Sequence, residues 1–206
     1  AYGVYLEDAF FDTVTDYLID AGEFDEAERA FYRPERGGIR VDGYCGDPLD
    51  SVLGQDEGQA TLGLIILDFN QDTQLVTLTN SEMEADFRRL QKFLSSSLEA
   101  PFRSSLEPTD PGFGLADLIN TRWDKVSRVK FHLLTNKKLS SRVTGKIVDD
   151  FEGREIIYNV WDIARFGDLV SSGRERERLT VDFNELPNGA LRALLASSPN
   201  DKNQVY

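Results

Sequence analysis

At 206 residues, with 40% hydrophobic and 29% charged side chains and a net charge of −13, the chain has material for one large domain, or one domain with a short appendage. No apolar run approaches the ~18 residues that cross a bilayer, and no charged segment followed by an apolar stretch marks a secretory leader, so a cytoplasmic protein with no membrane partner is expected. Cys45 is the only cysteine and His132 the only histidine, which excludes an internal disulfide, thiolate-rich zinc sites and two-histidine metal sites.

In chain order, residues 6–21 place Leu6, Phe10, Val14, Tyr17, Leu18 and Ala21 at helical spacing, with Gly22 as a stop. Asp8, Asp12, Asp16 and Asp20 recur every four residues on the opposite face. Residues 23–33 read as a second helical piece, ended by Pro34 and the Gly37-Gly38 pair. The period then changes. Residues 39–45 alternate as a strand, and residues 61–69, the most apolar run in the chain, read as a buried strand. Residues 81–99 read as an amphipathic helix through Met83, Phe87, Leu90, Phe93 and Leu94, with Ser81 and Glu84 spaced as a capping box.

A proline-containing loop follows, then a short helix over 115–124 and a strand over 126–135. Residues 155–161 read as another strand and 162–171 as a short helix. The segment 174–206 reads as one more strand and an incomplete tail. This order gives a mixed α/β domain whose central sheet receives helices on both faces. The domain is expected over 1–175, with 176–206 as the lead-in to a following domain. The absence of an initial methionine and the polar end of the chain fit a piece of a longer protein.

Charge is unevenly spread. Residues 1–86 carry 20 acids against four arginines, whereas 87–206 carry 16 acids against 19 bases. Between 122 and 146, Arg122, Lys125, Arg128, Lys130, Lys137, Lys138, Arg142 and Lys146 meet a single acid, Asp124. An acidic front with a basic stripe behind it suits a cation-holding site beside an anion-holding surface; a solvated acidic helix and a lysine-rich loop account for it equally well.

The informative constellation is Asp42, ending one strand, with Asp68, ending the apolar strand, and Asn70 two residues on, which shares its face. A desolvated carboxylate costs several kcal/mol without a partner. A dication would remove that cost, and hard oxygen ligands without histidine or thiolate favour Mg²⁺ or Mn²⁺. The plainer account is that Asp42-Gly43 is a hairpin turn and Asp68 to Asn70 a strand end capped by its own side chains. His132 sits in an apolar strand and reads as a core or half-exposed histidine. Cys45 reads as a structural thiol, and Trp123 and Trp161 as core anchors. Arg88, Arg89 and Lys92 suit either a phosphate backbone or a solvated helix face. No Walker or dinucleotide glycine loop is present.

The order of a helix bearing acids, a strand with Asp, a buried strand ending in acid-x-polar, then helix and strand resembles the restriction-endonuclease-like PD-(D/E)xK nucleases. More narrowly, AFFDTVTDYLIDAGEFDEAERAFY, RVDGY, LGLIILDFNQD, FRRLQKFLSSSLE, PGFGLADLI and YNVWDIARF resemble the N-terminal domain of the AIPR (abortive infection phage resistance) family, from about residue 5 to 175. The resemblance implies a metal-dependent phosphodiesterase site. In it Asp42 and Asp68 hold Mg²⁺ or Mn²⁺, and Asp12 or Asp16 supplies a helical acid. Asn70 stands where the nucleases usually carry lysine. Asn lacks the charge, so the site is either weakened or completed by a base from elsewhere, such as Lys137 or Lys138. The implied partner is DNA or RNA, its phosphates met by Lys130, Lys137 and Lys138. The competing expectation is a non-catalytic module of the same fold, used for dimerisation, for nucleic-acid binding or for holding the rest of a longer chain.

Overall fold

The computed structural model describes residues 2–46, 60–140 and 148–174, together with two short strands, Leu194–Leu195 and Gln204–Val205. Two compact units are present, Ala1–Gly173 and Arg174–Tyr206. In the second, the two short strands pair antiparallel, and the rest of the expected strand and tail lies outside the described residues.

The first unit is a mixed α/β domain. It runs α1 (Tyr2–Asp20), β1 (Ala27–Tyr32), β2 (Val41–Cys45), β3 (Ala60–Asp68), β4 (Thr77–Leu78), α2 (Asn80–Ser97), α3 (Ala100–Ser105), α4 (Pro111–Arg122), β5 (Val126–Thr135), β6 (Lys138–Leu139), β7 (Val148–Phe151), β8 (Arg154–Trp161) and α5 (Ile163–Arg174). Six strands form one sheet in the order β1-β2-β3-β5-β8-β7. At its centre β3, β5 and β8 are parallel, flanked by antiparallel β2 and β1 on one side and antiparallel β7 on the other.

The near-continuous apolar sequence of β3 follows from burial on both faces. Leu62, Leu64 and Ile66 join Val129, Phe131 and Leu133 of β5 in a core covered by α2 and α4, through Phe87, Leu90, Phe93, Leu94, Leu115 and Ile119. Ile65 and Leu67 join Leu134 on the other face, under Phe11, Val14 and Leu18 of α1 and Phe166 of α5. Close approach is allowed where a side chain is missing. A Cβ on Gly43 would lie 2.7 Å from the Phe11 ring, and one on Gly63 would collide with Cys45 Sγ.

Several expectations shift. The second helical piece over 23–33 is instead a turn followed by β1. Gly22 at φ +74° breaks the helix, after which Phe31 and Tyr32 pack on opposite faces of the sheet, a period of two that helix propensity cannot satisfy. The capping box lies two residues earlier than expected: Glu82 Oε2 accepts from Thr79 N at 2.8 Å, and Thr79 Oγ1 accepts from Glu82 N. Helix α4 begins at Pro111, four residues before its expected start, with Asp110 Oδ1 accepting from Gly112 N at 2.9 Å. Helix α3 occupies part of the expected loop, and β7 carried no strand signal. On α1 the buried stripe is Phe11, Val14 and Leu18, while Leu6 and Tyr17 stay exposed.

Candidate functional site

The parallel strands β3, β5 and β8 end on the same side of the sheet, at Asp68, Thr135 and Trp161. Antiparallel β2 begins beside that end, so residue 42 arrives next to the last turns of β3. Open sheets with parallel strands commonly bind ligands off such carboxyl ends.

Asp42 is fully buried. Its Oδ1 accepts from Arg33 Nη2 and Arg40 Nε, each at 3.1 Å. Its Oδ2 accepts from the backbone N–H of Leu67 at 2.7 Å and lies 2.8 Å from Arg40 Nη2. Four donors meet a carboxylate that offers about four acceptor positions, so none is left over. Glu7 of α1 stands behind the two arginines, 2.8 Å from Arg33 and 3.3 Å from Arg40. Burial pulls the Arg33 guanidinium down, but Glu7 and Asp42 together leave its pKa above the ordinary value.

Asp68 is paired differently. Lys137 Nζ lies 2.9 Å from Asp68 Oδ2, an ion pair without the alignment of a hydrogen bond, and 3.3 Å from Glu82 Oε1. Burial lowers the Lys137 pKa, and Asp68 followed by Glu82 more than reverses it. Glu82 is itself held below its ordinary value, first by the Thr79 hydroxyl and backbone and then by Lys137.

A further acid, Asp86, sits on the packed face of α2 between Met83 and Phe87. Burial, and then the charge of Asp68, raise its pKa; Arg89, with which it pairs, and Arg40 act against the rise. Asp42, Asp68 and Asp86 thus come from β2, β3 and α2 into one electrostatic neighbourhood, with Arg40 and Lys137 among them.

Asn70 has a local role. Its Oδ1 accepts from Asp72 N at 3.3 Å, and its backbone is held on both sides by the Asn136 side chain: Asn70 N donates to Asn136 Oδ1 at 2.8 Å, and Asn136 Nδ2 donates to Asn70 O at 2.7 Å. Asp12 is exposed and pairs with Arg29 of β1, which Asp8 also approaches at 3.7 Å; Asp16 is exposed. The acid of α1 that reaches the Asp42 cluster is Glu7. Of the three predicted phosphate-facing lysines, only Lys137 contacts the acids. Lys138 lies exposed on β6, and Lys130 lies on β5 close enough for its charge to act on Cys45 and His132.

The remaining residues settle into the core. His132 is buried, edge-on to Phe24 at 4.8 Å between ring centroids, and neither ring nitrogen has a hydrogen-bond partner among the described residues. Burial, then Lys130 and Arg165, push its pKa down to about 3. Burial likewise pushes the Cys45 thiol up to about 12. Trp161 is buried under the Arg165 guanidinium, and Trp123 packs half-buried against the larger core beneath Arg154. Arg88 pairs with Glu84, Arg89 with Asp86, and Lys92 donates to the Gly37 carbonyl.

The donor chemistry of Asp42, Asp68 and Asp86 is that of a hard-cation site, but the arrangement does not fit a resident dication. The Asp42 oxygens are taken by guanidinium and backbone N–H groups. Among the described residues no three His, Cys, Asp or Glu side chains gather into a metal cage. Two of the residues responsible carry a readable signal: Arg40 is two positions from Asp42, hence on its side of an extended segment, and Asp86 interrupts the apolar stripe of α2.

Fold and site together define a mixed α/β domain with buried and partly buried acids, paired by arginine and lysine, at the carboxyl ends of its parallel strands. The family profile described as abortive infection phage resistance protein N-terminal domain matches residues 10–168, more than half of the chain, and the chain belongs to this family. Comparison with curated proteins and with solved structures gave no match. No helix among the described residues is long and apolar enough to cross a membrane.

Proposed function

We propose that this domain serves phage resistance as a non-catalytic module built on a restriction-endonuclease-like plan, with internal cations where a nuclease would hold its metal. The observation that carries this reading is the saturation of Asp42: two arginines and the Leu67 N–H fill the oxygens of a fully buried carboxylate. Removing a partner from a buried charge is costly, so this pairing resists exchange for a metal. The module then works by holding or presenting other parts of its own longer chain or a second copy.

The test is a thermal melt of the chain with and without millimolar Mn²⁺ or Mg²⁺. Metal is expected to leave the melting temperature unchanged within error, and incubation with DNA or RNA is expected to give no chelator-sensitive cleavage. A rise of several degrees with Mn²⁺ that vanishes in Asp68→Ala would overturn the reading.

One observation favours a second reading, a metal-dependent phosphodiesterase. Lys137 stands 2.9 Å from Asp68 and supplies the amine that Asn70 lacks. On that reading Asp42 and Asp68 would hold Mg²⁺ or Mn²⁺, and Lys130 and Lys138 would face the substrate phosphates. It requires cleavage lost in both Asp42→Ala and Asp68→Ala.

A further inference from the structure

We propose that Cys45 and His132 form a two-coordinate site for a soft monovalent metal ion of the Cu⁺ class, joining β2 to β5 across Gly63 of β3. The proposal goes beyond the reading above and uses none of its acids. The two residues are the chain's only cysteine and only histidine. Cys45 ends β2 and pairs in register with Gly63, and His132 pairs with Ile65 on the other side of β3. Both side chains lie on the face beneath α1, where Cys45 belongs to the same core as Phe24 and the imidazole stands edge-on to that ring at 4.8 Å. A Cβ on Gly63 would collide with Cys45 Sγ and lie 3.5 Å from His132 Cδ2. Sulfur and the ring edge next to Nε2 therefore share the space over one residue, and glycine leaves it to them.

Both side chains are more than nine-tenths buried, Cys45 at 7% and His132 at 4% exposure. Neither imidazole nitrogen has a hydrogen-bond partner among the described residues, the neighbouring thiol included. An orphaned buried imidazole costs free energy that a ligand on its lone pair would recover. Thiolate selects soft ions, and imidazole also suits copper. Two ligands are too few for zinc or a hard dication, which take four or more. With zinc's bond lengths as a guide, about 2.3 Å to sulfur and about 2.0 Å to nitrogen, the ion bridges a gap of roughly 4 Å. On binding, the S–H bond breaks, its proton passes to solvent and a sulfur–metal bond forms. Thiolate, monovalent ion and neutral imidazole sum to zero charge. The charges of Lys130, which acts on both residues, and of Arg165, which acts on His132, thus meet no new net charge. A dication would leave a buried positive charge beside them.

The experiment titrates the parent chain, Cys45→Ser and His132→Leu with Ag⁺ in chloride-free buffer and with Cu⁺ under reductant. It follows thermal melting and the proton NMR signals of the single imidazole. The parent is expected to take one equivalent, to gain about 5 °C in melting temperature and to shift its imidazole signals over the same titration. Both variants are expected to lose the gain. If a variant does not fold, the imidazole shift in the parent, complete at one equivalent and absent with Mg²⁺, is the deciding result. Four outcomes overturn the proposal: no binding, a fall in melting temperature through capture of the unfolded thiol, an unchanged gain in His132→Leu, or binding that leaves the imidazole signals unmoved. None of them bears on the Mn²⁺ melts that test the non-catalytic reading, which concern oxygen ligands.

Discussion

Two polar groups buried in the same sheet are treated in opposite ways. Asp42, at the edge of the parallel strands' carboxyl ends, meets two guanidinium groups and a backbone N–H. His132, in mid-strand on β5, meets none among the described residues; its ring lies against Phe24, and burial holds it uncharged. The carboxylate is accommodated by supplying opposite charge, the imidazole by giving up its own. A buried ionisable side chain therefore says little about function until its partners are counted.

The largest effect is expected at Asp42. Asp42→Ala leaves the buried Arg40 with Glu7 alone and the Leu67 N–H without its acceptor, and should cost about 3–5 kcal/mol in urea unfolding. A loss under about 1 kcal/mol, the size of a surface pair, would mean that the cluster is not a matched unit and would break the comparison.

His132 should show its effect in acid. Its folded pKa of about 3 lies below the ordinary histidine value, so between the two the unfolded chain binds the extra proton. Stability is therefore complete above the unfolded value and falls as pH drops through it towards 3. The slope from this group is at most about 1.4 kcal/mol per pH unit, or about 2 kcal/mol by pH 5. His132→Leu should remove that component, so that unfolding curves at pH 7.5 and pH 5 differ less than in the parent. Equal pH dependence in the two proteins would show that the imidazole finds a partner.

The smallest effect sharpens the contrast from the surface. Asp12 pairs with Arg29 in the open, its side chain 55% exposed, and Asp12→Ala should cost under about 1 kcal/mol, shrinking further in high salt.

How much of this was legible depended on whether the cause was local. The strand β5 matches its expected span, and β3 is shifted by a single residue, because β3 carries a near-continuous apolar run and β5 alternates polar with apolar residues from Val129 to Leu133. The apolar stripe of α2 was equally plain. By contrast, β1 owes its form to pairing with β2, and nothing inside the acid-rich, helix-favouring sequence from 23 to 33 announces that partner. The site divides in the same way. Asp42 and Asp68 were readable as acids at strand ends, and Arg40 as a neighbour of Asp42, but the pairings with Arg33 and Lys137 span more of the chain and depend on topology. Asp12 illustrates the converse: the acid ladder of α1 was correct as a helical face, yet the fold presents Glu7 to the cluster and turns Asp12 towards Arg29.

Asn136 adds a mechanical consequence. By accepting from and donating to the main chain of Asn70, its amide imitates one more rung of ladder just past the last β3–β5 pair, Asp68 with Thr135. Thr135 tightens the same junction, donating its hydroxyl to the Asp68 carbonyl and accepting from Lys137 N. The two strands thus leave the sheet clasped together, which fixes the backbone from which the Asp68 carboxylate and the Lys137 amine project. Whatever approaches this edge meets a prefabricated zwitterion whose two stems rise from clasped backbone.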